Sequence, residues 1–370
     1  MPLTGYLTAS AIEAGLVHLA TKHPTICELI VLTEPSIEGR TIRAVKIGDR
    51  GRSARPGILV IAGAHAREVV NPDMLLMLGV KLCKANADQT GLAFGGKIYS
   101  ASALKSLMDA TDLYFLPLVN PDGRNFVQSP TGDPMWRKNR NPNPGRPARG
   151  VDLNRNYDFL WSSGIGTSSN SNSDTYKGAA LFSEPETRNV RAMLDAYPNI
   201  RMLLDVHSYS ELVLYPWGDD NNQTTDPSMS FRNPTFDGLR GSLGDNVYRE
   251  YIPAQDLEWF VRNSARIRDA IALVRGRVYT AEQSPDLYPT TATSEDYAFT
   301  RHFVDGSKPR VRGLTVETGT EFQPAFPEAA NVMNEGAVAV LEACQINLEE
   351  GELAIAGRLA ATACGGVARS

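Results

Sequence analysis

Pro56-Gly57-Ile58-Leu59-Val60-Ile61-Ala62-Gly63-Ala64-His65-Ala66-Arg67-Glu68 is the stretch whose reading decides the fold. Its first half, Gly57 to Gly63, is an unbroken apolar run of strand length closed by Pro56 on one side and Gly63 on the other. Such a run suits a strand covered on both faces, inside a largely parallel sheet. Its second half puts His65 and Glu68 on the loop that leaves this strand. A similar run, Met202-Leu-Leu-Asp-Val-His207, ends in a second histidine and passes into Ser208-Tyr209-Ser210. Both histidines therefore lie where strands end, which is where open α/β sheets place their ligands. Two imidazoles and one carboxylate can hold a zinc ion and leave a coordination position for water, the arrangement of catalytic rather than structural zinc. His65, Glu68 and His207 are thus expected to bind one Zn2+ per chain, in a metallohydrolase.

Working outward, Ser10 to Glu13 reads as a capping box opening a helix with Ile12, Leu16 and Leu19 on one face. Cys27 to Thr33 and Thr41 to Gly48 read as an antiparallel hairpin toward one edge of the sheet. After the central strand, Met74, Leu75, Leu78 and Leu82 mark a helix from about Asn71 to Ala85. Asp112 to Val119 reads as a strand stopped by the turn signal Asn120-Pro-Asp-Gly123. A long polar loop to about Gly178 follows, of the kind that is usually functional in a compact domain. Ser183-Glu184-Pro185-Glu186 then caps a helix to about Tyr197. Beyond His207 come a strand at Leu212 to Tyr215, a helix from about Leu257 to Arg275, strands at Arg277 to Ala281 and Arg312 to Glu317, and a helix from Pro327 to about Leu348. Alternating strands and helices give the fold class α/β, with a mixed, largely parallel sheet covered on both faces.

The bulk properties narrow the function classes. With 370 residues, 42% hydrophobic and 21% charged, the chain can bury a large core. No linker or solenoid repeat divides it, so one catalytic domain is expected over 1–350 and a tail of unknown role over 351–370. A formal charge of -5 without a basic stripe argues against nucleic acid or an anionic membrane as partner. No apolar run of about 18 residues predicts a transmembrane helix, and no signal sequence or inhibitory prodomain is visible. The expectation is a soluble protein, either cytoplasmic or secreted and trimmed to its mature domain. Cys27, Cys83, Cys344 and Cys364 lack C-x-x-C spacing; Cys27 and Cys83 read as small core residues, and the disulfide state is open. His18 and His23 belong to the first helix or its end, leaving His302 as the other histidine near the chemistry.

The polar loop carries Trp136-Arg137-Lys138-Asn139-Arg140 and then Gly150-Val-Asp-Leu-Asn-Arg-Asn-Tyr157. From these motifs, in this order, the chain resembles the zinc metallocarboxypeptidases of the carboxypeptidase A and B type, over roughly Tyr6 to Leu348. The resemblance implies an α/β/α sandwich and a peptide substrate with a free C-terminal carboxylate. It places the zinc ligands on His65, Glu68 and His207, and a carboxylate partner of a ligand histidine on Asp152. Asn154 and Arg155 match the pair that grips the terminal carboxylate, chemistry well served by a planar guanidinium and an amide. Arg140 is matched to the residue that polarises the scissile carbonyl, and Arg67 to an auxiliary substrate-binding arginine. Ser208 and Tyr209 are placed among the substrate contacts. Glu317, ending the apolar strand Gly313-Leu-Thr-Val-Glu317, corresponds to the general base. Tyr288 matches the mobile tyrosine that closes over substrate. Ser294-Glu295-Asp296-Tyr297 resembles the segment whose second residue lies at the base of the side-chain pocket. A carboxylate there implies a preference for C-terminal Lys or Arg, unless the nearby Arg301 or His302 neutralises it. A zinc deacylase acting on small N-acyl amino acids shares the ligand pattern; a non-catalytic peptide-binding domain is the third reading, against which stand Glu317 and all three ligands.

Overall fold

A computed structural model describes residues 5–51 and 55–365, with side chains to 352. Its strands are β1 Cys27–Val31, β2 Arg43–Ile47, β3 Gly57–Ala62, β4 Leu92–Phe94, β5 Lys97–Tyr99, β6 Asp112–Leu116, β7 Ile200–His207, β8 Leu212–Tyr215, β9 Asn222–Gln223, β10 Glu250–Tyr251, β11 Thr280–Gln283 and β12 Arg312–Glu317. Its helices are α1 Ala9–Lys22, α2 Val70–Asp88, α3 Ala101–Ala110, α4 Pro121–Val127, α5 Pro185–Ala196, α6 Ala254–Arg275, α7 Ser284–Leu287, α8 Ser294–Val304 and α9 Phe326–Gly365.

Eight strands form one sheet in the order β1-β2-β6-β3-β7-β12-β8-β11. The centre, from β6 through β3 and β7 to β12, is parallel. β1 and β2 form the expected antiparallel hairpin at one edge, and β8 runs antiparallel to β12 near the other. All of β3 is buried, and its side chains divide by alternation. Ile58, Val60 and Ala62 join a core with residues of α1, α2, α6 and α9. Leu59 and Ile61 face the opposite layer, with Val190, Met193 and Leu194 of α5 and Ala298 of α8. The result is an α/β/α sandwich. Each fully buried aliphatic side chain contributes about 1.5–3 kcal/mol, so this strand is a rigid base for the loop that follows it.

Three local readings are corrected. α1 starts two residues before the capping box suggested, because Thr8 is extended and its Oγ1 accepts from Ala11 N at 3.1 Å. Asn120-Pro-Asp-Gly opens α4 rather than ending in a turn: Asn120 Oδ1 accepts from Gly123 N at 2.8 Å, and Pro121 occupies the first helical turn. The β4–β5 hairpin and α3 were not read from the sequence. α9 continues to Gly365, through most of the segment set apart as a tail, and 366–370 lie outside the described residues. Cys27, Cys83 and Cys344 are buried free thiols. Among the described residues no helix is long and apolar enough to cross a membrane.

Candidate active site

β3, β7 and β12 are parallel, and β7 lies between the other two, so their C-terminal ends meet at one edge of the sheet. Glu317 is in register with His207 across the β12–β7 pair. The chain leaves β3 through Gly63 at φ +69, where a Cβ would lie 2.9 Å from Pro72. Only glycine turns there without strain, and the turn brings His65 and Glu68 back over β7.

His65 Nδ1 lies 2.7 Å from Glu68 Oε1, His207 Nδ1 lies 2.9 Å from Glu68 Oε2, and the two Nδ1 atoms are 3.1 Å apart. All three residues are buried. Donors about 2.1 Å from a tetrahedral ion stand roughly 3.4 Å from one another, so the cluster is near the size a zinc ion requires. The outer nitrogens explain why a cation belongs here. His65 Nε2 is 3.1 Å from Asp152 Oδ1 and His207 Nε2 is 3.0 Å from Asp205 Oδ1, the second a close approach without a hydrogen bond. A proton on each Nε2, facing its carboxylate, would turn both Nδ1 lone pairs on one another and on Glu68. A cation resolves that opposition.

The charges follow from burial and these neighbours. Burial pushes the Glu68 carboxyl up, but the two imidazoles more than offset it and hold it below the usual range. Asp152 is likewise held low, by Arg137 and His65 against its own burial. Glu317 is different: burial, only partly opposed by His207, pushes it up to about 8, and its Oε2 has no hydrogen-bond partner. A carboxyl beside the metal ligands with an uncommitted oxygen is placed to exchange a proton.

Arg140 and Arg137, both in the polar loop, lie in different surroundings. Arg140 stacks on Phe126 with its Cζ 3.7 Å from the ring centroid, and its Nε lies 3.7 Å from Glu38. The charges that act on it are those of Glu38, Arg149 and Asp122, none of them in the ligand cluster. Arg137 lies beside the ligand cluster. Its Nε donates to Asp152 Oδ2 at 3.0 Å, and its charge acts on Glu68, Tyr288 and Glu317. The hydrogen bond to Asp152 selects between the two side chains.

Of the expected substrate contacts, Arg155 lies 3.4 Å from the Tyr288 hydroxyl through Nη2, and its Nε is held by Gly166 O at 3.0 Å. Asn154 Oδ1 accepts from Ser294 N at 2.9 Å, which presents the amide nitrogen as its donor end. Tyr288 is 46% exposed. Arg67 lies 4.2 Å over the Phe322 ring, and exposed Tyr209 packs on the same ring, forming an outer rim. Ser208 does not join them: it is buried, and its N–H lies 3.3 Å from Glu68 Oε2, so its contact is with a metal ligand. Glu295 is buried, its carboxyl pushed up by that burial, with Oε2 unpartnered. Arg301 pairs with Asp195 and His302 accepts from Arg310, so neither is spent on Glu295. Sequence reasoning missed Asp205, although its position two residues before His207 on one strand puts both on the same face. It also missed Asn71 and Thr318, which bond to the His207 carbonyl.

The family model described as "Zinc carboxypeptidase" matches residues 12–337. The chain belongs to the zinc carboxypeptidase family. It is 31% identical to a zinc carboxypeptidase of Simulium vittatum, over 80% of this chain and 81% of that protein. It is 34% identical to a carboxypeptidase B of Helicoverpa zea over 60% of this chain, a match spanning 48% of that relative. Among solved structures, thrombin activatable fibrinolysis inhibitor superposes with TM-score 0.73 at 21% identity, over 93% of this chain and 75% of that one. Carboxypeptidase A of Helicoverpa armigera gives 0.71 at 22%, over 94% and 75%. These two likenesses support the α/β/α fold of this zinc carboxypeptidase.

Proposed function

We propose that this zinc carboxypeptidase removes one residue at a time from the C-terminus of peptides, preferring Lys or Arg, within a single catalytic domain over 1–350. The observation that carries the reading is the position of Arg155, three residues along the same loop from the carboxylate that holds His65, with the Tyr288 hydroxyl beside it. An anion grip so close to the metal ligands suits a substrate whose carboxylate is one residue from the bond to be cut.

His65, Glu68 and His207 would hold the zinc ion, which when bound would supply Lewis acidity and bring the pKa of a water toward about 7. Glu317 accepts a proton from the attacking water and returns it to the leaving amine. Arg137 donates to the scissile carbonyl oxygen as negative charge develops there, held in place by Asp152. Asn154, Arg155 and Tyr288 bind the terminal carboxylate, while Arg67 and Tyr209 line the approach. Glu295 faces the departing side chain as a buried carboxyl with no ion-pair partner among the described residues and an unpartnered Oε2, which favours a cationic guest. Comparing hydrolysis of a blocked tripeptide ending in arginine with that of an N-acyl amino acid, each with and without a chelator, tests this. Chelator-sensitive release of arginine supports the peptidase; faster cleavage of the N-acyl amino acid would make the chain a deacylase.

A further inference from the structure

One peptide group ties the metal ligands to the strand that carries Glu317. The carbonyl of His207 accepts from Asn71 Nδ2 at 2.7 Å and from Thr318 N at 2.8 Å, and shares the single hydroxyl hydrogen of Thr318 Oγ1, 3.1 Å away, with Asn71 Oδ1. Thr318 Oγ1 lies 3.0 Å from Asn71 Oδ1, closing a ring of contacts. The N–H of the same peptide group, that of Ser208, points the other way and lies 3.3 Å from Glu68 Oε2. Asn71 belongs to the first turn of α2, and both Asn71 and Thr318 are 0% exposed. Gly336 of α9 lies next to the asparagine; a Cβ there would be in ordinary contact with Asn71 Oδ1, at 3.5 Å.

We infer that Asn71 and Thr318 are positioning residues that clamp the His207–Ser208 peptide and thereby aim its N–H at Glu68 and fix the end of β12 at Glu317. A carbonyl held by two N–H donors and a shared hydroxyl cannot rotate without losing them in a buried site, where each unmade bond costs more than a made one contributes. The N–H at the far end of the plane therefore has one direction available, toward Glu68 Oε2. This polarises one oxygen of the ligand carboxylate and leaves Oε1, on the His65 side, as the more basic donor. The same ring joins three elements: α2, which follows Glu68; β7, which ends in His207; and β12, whose Glu317 precedes Thr318. Partners of this kind typically alter metal affinity by about 10- to 100-fold.

The inference rests on the zinc-peptidase reading, so its test is binding rather than turnover. Zinc dissociation constants are measured by competition with a chromophoric chelator for the wild type, Asn71→Ala, Thr318→Val and Thr318→Ser, each first checked for folding by circular dichroism. Thr318→Val keeps the volume and removes only the hydroxyl, so it answers even if Asn71→Ala does not fold. Expected are zinc affinities at least about 10-fold weaker for Asn71→Ala and measurably weaker for Thr318→Val, with Thr318→Ser near wild type. In the zinc-saturated variants kcat should fall with KM unchanged. Zinc affinity and kcat within twofold of wild type in both folded variants would overturn the clamp. A wild type that binds zinc but releases no C-terminal residue would instead sink the functional reading, with the binding comparison still standing.

Discussion

Arg137→Ala and Arg140→Ala should differ sharply, because the two guanidinium groups lie in different surroundings. Arg137 is held at 3.0 Å by Asp152, within electrostatic reach of Glu68, Tyr288 and Glu317. Losing one preorganised donor to a developing oxyanion costs about 2.7–4 kcal/mol, and at about 1.36 kcal/mol per decade kcat/KM should drop roughly 100- to 1000-fold. Asp152 keeps His65 Nε2 and Asn154 N after the substitution, so His65 stays oriented and zinc content should be retained. Arg140 makes a 3.7 Å ion pair with partly exposed Glu38 and a stacking contact on Phe126. The ion pair is worth about 0–1 kcal/mol and the stacking about 0.5–1 kcal/mol, all of it stability rather than turnover. Arg140→Ala should therefore leave kcat/KM within about twofold of wild type while lowering the melting temperature slightly. The assay is steady-state hydrolysis of a blocked dipeptide with C-terminal arginine, with bound zinc quantified in each preparation. A 100-fold loss in Arg140→Ala alongside near-normal Arg137→Ala would refute the assignment.

Glu295→Gln should lower the preference for C-terminal arginine over leucine by roughly 100-fold, the effect of about 3 kcal/mol for removing one partner of a buried ion pair; competition between two peptides differing only in that residue reads it. Stability should depend on pH through Glu186, a carboxyl that burial raises to about 8 from the ordinary 4.5. The folded state holds this proton longer than the unfolded chain, so the stabilisation is complete below about 4.5 and is lost as pH rises toward 8. Glu186→Gln keeps the neutral shape, and urea titrations at pH 5 and pH 8 should show a smaller loss in the variant, by on the order of 1 kcal/mol or more; equal losses would contradict the protonated state. Exhaustive chelation should abolish turnover and zinc should restore it; turnover that survives chelation would rule out the metal mechanism.

Much of the fold was legible because burial leaves a periodic trace. β3 is apolar and buried throughout, β7 is apolar at most positions and β12 is buried through its middle since helices cover both faces, and His65, His207 and Glu317 lie at or just beyond the strand ends. The loop from Trp136 to Tyr157 has no such period. It is fixed by individual hydrogen bonds, such as Asn139 Nδ2 to Glu184 and Val151 N to Asn139 Oδ1. Spacing alone therefore could not tell which of two arginines three residues apart turns toward the metal ligands. Asn120-Pro-Asp-Gly misled for a related reason: the same side-chain oxygen that closes a turn also caps a helix. Asn71 and Thr318 left no signal, because an asparagine in a helix's first turn and a threonine after a strand are ordinary until the carbonyl they share is seen.

The most direct test of the central claim is anomalous scattering from crystals grown with zinc, with data collected on both sides of its absorption edge. One strong peak is predicted about 2.0–2.2 Å from His65 Nδ1, a Glu68 carboxylate oxygen and His207 Nδ1, with solvent in the remaining position on the Glu317 side. A peak held by other residues, or a His65–Glu68–His207 cluster that stays empty at saturating zinc, would contradict the account.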